Sequence, residues 1–70
     1  MIVKVLGLAE GECLQRQAET LDLWETPAKL RKMARVLANR YLGLWHNVDT
    51  VAIRRDDDHK MIARVKRKKS

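Results

Sequence analysis

Three kinds of residue in this 70-residue chain could do chemistry. The first is the run Asp56-Asp57-Asp58-His59. Carboxylates suit hard cations and imidazole suits zinc, so the run invites a metal reading. Its spacing argues against one. A calcium loop alternates its ligands, turns on a glycine and closes with a distal glutamate. Adjacent side chains in a tight turn point apart instead. The run reads as a solvated turn, and no metal ligand is assigned. The second kind is a nucleophile with a base: Cys13 with His46 or His59. No spacing brings these together. The sequence has no glycine-rich phosphate loop and no paired carboxylates in an apolar setting. A chain this short also has little room for a pocket of the usual ~300 Å³ or more. The expectation is a non-enzymatic protein with no catalytic residue, no cofactor and no small-molecule substrate.

The third kind is cationic, and here the signal is dense. Lys29, Arg31, Lys32, Arg35 and Arg40 fall in a stretch, Ala28 to Asn47, that holds no Asp or Glu. Arg64, Lys66, Arg67, Lys68 and Lys69 crowd the carboxyl end, and Arg54 lies on the preceding segment. Each could neutralise a phosphate and release a counterion. A helix built for stability alone gains from Glu–Lys pairs at i, i+4, and this one has none. Lys29 also stands at the positive end of the helix dipole, a mildly unfavourable place. These eleven residues are the candidate partner- or phosphate-binding set. A solvated, solubilising surface is the competing explanation, because charge runs of this length are common and unspecific.

The net charge is +6 and the pI near 10.0, which favours polyanionic partners. The charge is segregated. Glu10, Glu12, Glu19, Asp22 and Glu25 gather in one segment with a single base, Arg16. Either the molecule has two electrostatic faces, or the acidic segment packs beside the basic helix and partly neutralises it. Aromatic residues are few. Trp24, Tyr41 and Trp45 all sit at or beside the same helix. That leaves little for base stacking, so nucleic-acid contact would be mostly to the backbone and weakly sequence-specific.

These side chains need elements to hold them. Thr26-Pro27 offers a hydroxyl cap and a first-turn proline. Leu30, Met33, Ala34, Leu37, Tyr41 and Trp45 then recur at helical spacing, which predicts a long amphipathic helix over 27–42 closed at Gly43. Trp24 could fold back over the first turn. Ile2 to Leu8 reads as a strand, with Val3, Val5 and Gly7 on one side and Lys4 on the wetter one. Gly7 suggests a bend or a close backbone approach. Two further alternating runs, 48–55 and 61–67, flank the Asp-rich break and predict a β-hairpin. Leu14, Ala18 and Leu21 at i, i+4, i+7 suggest a short helix over 12–21, with an ordered loop as the alternative because of Gly11.

The expected fold class is therefore α+β. A three-stranded antiparallel or mixed sheet near 2–8, 48–55 and 61–67 packs on the helix 27–42. The open sheet face would carry Lys4, Arg54, Arg64 and Lys66. Residues 1–66 form one small domain and 67–70 a basic, frayed tail. A core this thin often needs a staple or partner, and one cysteine supplies no disulfide. The lone thiol and the lack of a signal peptide point to a reducing, cytoplasmic setting. The apolar run from Met1 to Leu6 is far short of the roughly 20 residues that span a membrane.

The expected partner is nucleic acid, or an acidic or nucleic-acid-binding surface of the transcription or processing machinery. The sequence leaves oligomeric state open. In general organisation, though in no diagnostic motif, the chain resembles small host-takeover proteins encoded by phages, including polymerase inhibitors and anti-CRISPR proteins. That resemblance implies docking on a host RNA polymerase or CRISPR effector. A small subunit of a nucleoprotein assembly fits the basic tail and thin core as well.

Overall fold

Alternation in the first run builds the centre of the sheet. In the computed structural model, which describes residues 1–21 and 26–67, strand β1 spans Ile2–Ala9 and hydrogen-bonds on both edges. Val3 and Val5 on one face are fully buried, while Lys4 on the other is exposed. The remaining elements are β2 (Glu12–Thr20), α1 (Pro27–Leu44), β3 (Thr50–Arg55) and β4 (Met61–Lys66). The sheet order is β2-β1-β3-β4, and every pairing is antiparallel. Helix α1 packs over β4, β3 and β1.

The α+β class stands as expected, but the sheet has four strands rather than three. The segment read as a short helix over 12–21 is strand β2. Two features set it. Glu10 and Gly11 both take positive φ, 51° and 83°, and join Ala9 to Glu12 in a two-residue hairpin loop. Such loops match the twist of the flanking strands, and glycine adopts the conformation at no steric cost. At the far end the Met1 amine donates to the Leu21 carbonyl at 3.0 Å, and Leu21 N–H donates to the Met1 carbonyl at 2.8 Å. These bonds carry the pairing past Thr20 and bury Leu21. Leu14 and Ala18, the other members of the supposed helical stripe, are exposed.

Helix α1 begins as its sequence dictates. Thr26 Oγ1 accepts from Lys29 N–H at 3.3 Å, and Pro27 occupies the first turn. It ends differently. The helix runs through Gly43 to Leu44, and Trp45 closes it in an extended conformation. No left-handed residue is needed because Arg67 supplies the cap. Its guanidinium donates to the carbonyls of Leu42 (2.6 Å), Trp45 (3.1 Å) and Val48 (3.2 Å). A cation at the carboxyl end of a helix also meets the negative pole of its dipole. Arg67 thus lies within the fold and not in the tail. Lys68 and Lys69 lie outside the described residues, as does Trp24.

The core joins Val3, Val5, Val51, Ile53 and Ala63 of the sheet to Ala34, Ala38 and Leu42 of the helix, with Leu21 and Val48 at its ends. Leu30, Met33, Leu37, Tyr41 and Trp45 pack around it half-buried. Two alanines at the closest contact let helix and sheet approach. Fully burying each Val or Ile contributes about 1.5–3 kcal/mol. Gly7 is the close approach that its position suggested. A Cβ there would lie 2.7 Å from Trp45 Cε3 and 2.9 Å from Val48 Cγ1.

Candidate polyanion-binding face of the sheet

Strand geometry sends alternate side chains to opposite faces, so the register fixes what shares the face away from α1. Lys4 lies across from Ala18 on β2 and Arg54 on β3, and Arg54 across from Met61 on β4. In the next row Leu6 lies across from Arg16 and Ala52, and Ala52 across from Arg64. In the third, Leu8 lies across from Cys13 and Thr50, and Thr50 across from Lys66. Lys4, Arg16, Arg54, Arg64 and Lys66 therefore come from all four strands onto one surface, and all are exposed. They form a horseshoe around an uncharged centre of Leu6, Leu8, Ala52 and Thr50. Ala52 and Thr50 are almost wholly covered, at 1% and 3% exposure. A hollow of about 310 Å³ opens on this face, lined by Lys4, Leu6, Leu8, Cys13, Arg16, Arg54 and His59.

The charges are placed at a cost. Lys4 and Arg54 are direct cross-strand neighbours, and like charges so placed destabilise a sheet. Asp56 eases this with an ion pair to Lys4 at 3.4 Å, exposed on both sides and so weak. Among the described residues Arg16, Arg54, Arg64 and Lys66 have no ion-pair partner. The acids of β2 point elsewhere. Glu19 pairs with Val3, and Glu12, past the register shift at Gly7/Leu8, pairs with Ala9. Both therefore lie on the other side of β2 from Arg16, the α1 side of the sheet, where the helix does not extend over β2. Glu19 there accepts a hydrogen bond from the Tyr41 hydroxyl. So Glu12 and Glu19 do not neutralise the sheet face, and strand β2 carries Arg16 on one side and these acids on the other. Asp22 and Glu25 lie outside the described residues.

Helix α1 places its five bases differently. Lys29, Arg31, Lys32, Arg35 and Arg40 are all exposed. At about 100° per residue they fan over roughly half the helix circumference, so no single flat partner reaches all of them. Between Lys32 and Arg40 the helix also borders an apolar groove of about 350 Å³ lined by Leu21, Met33, Val36 and Leu37. Of the remaining candidates, Arg67 is engaged at the helix end, and Arg54, Arg64 and Lys66 are gathered on the sheet. Arg16 and Lys4 belong with them. Arg16 escapes a reading that takes 12–21 as a helix. The signal that finds it is Glu10-Gly11, a hairpin turn that makes the next segment pair with β1.

The hairpin turn 56–60 is tied to β1 through Asp56, whose N–H donates to the Ile2 carbonyl at 3.2 Å, and is otherwise held by local contacts. Asp58 Oδ1 accepts from Lys60 N–H at 3.1 Å and lies 3.7 Å from Arg55 Nε. That hydrogen bond first, and the Arg55 and Lys60 charges after it, hold the Asp58 carboxyl below its ordinary value. Among the described residues no group of three or more His, Cys, Asp or Glu could hold a metal ion. Cys13 and His59 line the same hollow, but the thiol's hydrogen bond goes to the Gln15 carbonyl at 3.4 Å. Among the described residues no helix is long and apolar enough to cross a membrane. No family model, curated protein or solved structure matches the chain.

Proposed function

We propose that this protein is a non-enzymatic binding module that engages the phosphate backbone of nucleic acid through the open face of its sheet. The observation that carries this is the convergence of Lys4, Arg16, Arg54, Arg64 and Lys66 from four strands onto one plane. The like-charged Lys4–Arg54 neighbours work against stability, and a polyanion laid over them offsets that repulsion. The helix bases enlarge the positive field and steer encounter. They are not the contact plane.

Binding measured by fluorescence anisotropy at low and moderate salt tests this. Arg54→Glu and Arg64→Glu should each weaken binding by at least about tenfold at low salt. Lys32→Glu with Arg35→Glu, on the outer helix surface, should weaken it less. Absence of low-salt binding by the wild-type chain sinks the reading. So does a loss that follows the helix substitutions instead.

A second reading has its own support. The half-buried Leu6 and Leu8 inside the horseshoe would suit an acidic protein surface with an apolar anchor. A partner in the transcription or nucleic-acid-processing machinery would present such a surface. Capture from lysate that survives nuclease and depends on Leu6 favours this alternative.

A further inference from the structure

We infer that the sheet face takes a duplex, with two phosphate chains straddling its uncharged centre, and not a single strand. This rests on the nucleic-acid reading above. Three features of the face carry it.

The first is the spacing of its flanks. Arg16 on β2 and Arg64 on β4 lie in one row, separated by β1 and β3. Three strand spacings of about 4.8 Å put their backbones roughly 14 Å apart. Lys66 continues the β4 flank two residues on, about 6.8 Å further along the strand. A single backbone follows one line of cations. Two flanks this far apart, Arg16 on one and Arg64 with Lys66 on the other, carry long side chains that can lean inward onto the two chains that border the wider duplex groove, about 12 Å across.

The second is the strip between the flanks. Leu6, Leu8, Ala52 and Thr50 are uncharged; Leu6 and Leu8 are half-buried, and Ala52 and Thr50 are almost wholly covered by their neighbours. Nothing there would repel the sugar edges of a groove. Nothing there reaches far enough to read base edges either, so the duplex is bound without strong sequence preference.

The third is the set of side chains at these positions. Single-strand binders gain about 1–3 kcal/mol per base from aromatic stacking. None of the register positions on this face holds an aromatic residue. Tyr41 and Trp45 pack on each other against the core, with ring centroids 4.7 Å apart and planes tilted by 45°.

The experiment compares the whole chain against a 16-base-pair duplex, each of its single strands, and poly-glutamate of matched charge, by anisotropy at low salt. The expected result is duplex affinity at least about tenfold above either strand. Arg16→Glu and Arg64→Glu should each reduce duplex affinity by a similar factor, because each flank holds its own chain. Arg16→Gln and Arg64→Gln, with circular dichroism of every variant, keep the comparison valid if a reversal disturbs the fold. Single-strand affinity equal to or above that of the duplex overturns this inference and leaves the phosphate reading standing. So does sensitivity to one flank alone. Binding to neither nucleic acid, or to poly-glutamate as tightly as to duplex, overturns both.

Discussion

Arg67 sits in the densest cationic run of the chain, yet its guanidinium faces the protein. It donates to the carbonyls of Leu42, Trp45 and Val48. Its own N–H also donates to the Asp49 carbonyl at 2.6 Å, so both backbone and side chain tie the end of β4 to the loop after α1. Truncation to Arg67→Ala leaves those carbonyls without this donor and should cost about 1–3 kcal/mol in urea denaturation. Arg67→Lys should restore only part of the loss, since an ammonium lacks the planar fork that reaches several acceptors. Equal stability of Arg67→Ala and wild type would remove the capping role. Gly7 is the complementary case, defined by what it lacks. In Gly7→Ala the new methyl meets the Trp45 ring, and the ring must move or the sheet must bend. A loss of about 1–3 kcal/mol is expected. Tryptophan emission should shift with it, because Trp45 is half-buried at that contact.

At the scale of elements, β1 and α1 were legible because each has one face in the core and one in water. The β3–β4 hairpin was legible because two strand-like runs flank an Asp-rich break, although Thr50 and Ala52 on the open face of β3 are covered too. Burial of Val3, Val5, Val51 and Ile53 is what makes alternation visible. Strand β2 has no such contrast. It lies at the sheet edge where α1 does not reach, so eight of its positions from Glu12 to Thr20 pair with β1 while both its faces stay largely wet. Without a buried stripe, a chance Leu14–Ala18–Leu21 spacing outweighed a two-residue turn. The candidate face was half legible for the same reason. Lys4, Arg54, Arg64 and Lys66 follow from strands that can be read, and Arg16 does not.

The bond between the Tyr41 hydroxyl and Glu19 links α1 to this otherwise uncovered strand, and it predicts a pH response. Donation to Glu19 first, then partial burial, raises the Tyr41 pKa above its ordinary 10.0. The unfolded chain releases that proton near pH 10, earlier than the folded one. The stabilisation is therefore complete below pH 10 and lost as pH rises through the higher folded value. Tyr41→Phe should flatten the alkaline limb of the stability curve. An unchanged limb would show that the bond does not couple helix to strand.

Among the described residues, the acids of β2 and of the hairpin turn lie off the proposed contact face, apart from Asp56 beside Lys4. Glu12 and Glu19 sit on the far side of β2, Asp57 and Asp58 lie in the hairpin turn, and Asp56 offsets Lys4 alone. A net charge of +6 spread evenly would give a weak field in every direction, whereas here positive charge gathers over the open sheet face and, separately, along the outer surface of α1. That arrangement has a measurable consequence. If all five sheet bases neutralise a phosphate, the logarithm of affinity should fall against the logarithm of salt with a slope near −0.9 per contact, about −4.5 in all. Raising salt from 50 to 200 mM, a fourfold change, should then cost roughly 500-fold in affinity. Each of Arg16→Gln, Arg54→Gln and Arg64→Gln should flatten the slope by about 0.9, whereas Lys32→Gln should change it much less. The slope separates the two surfaces better than affinity does, because long-range repulsion weakens binding without removing a released counterion. A slope shallower than about −2, or one that Lys32→Gln flattens as much as Arg54→Gln, would move the contact off the sheet and onto the helix.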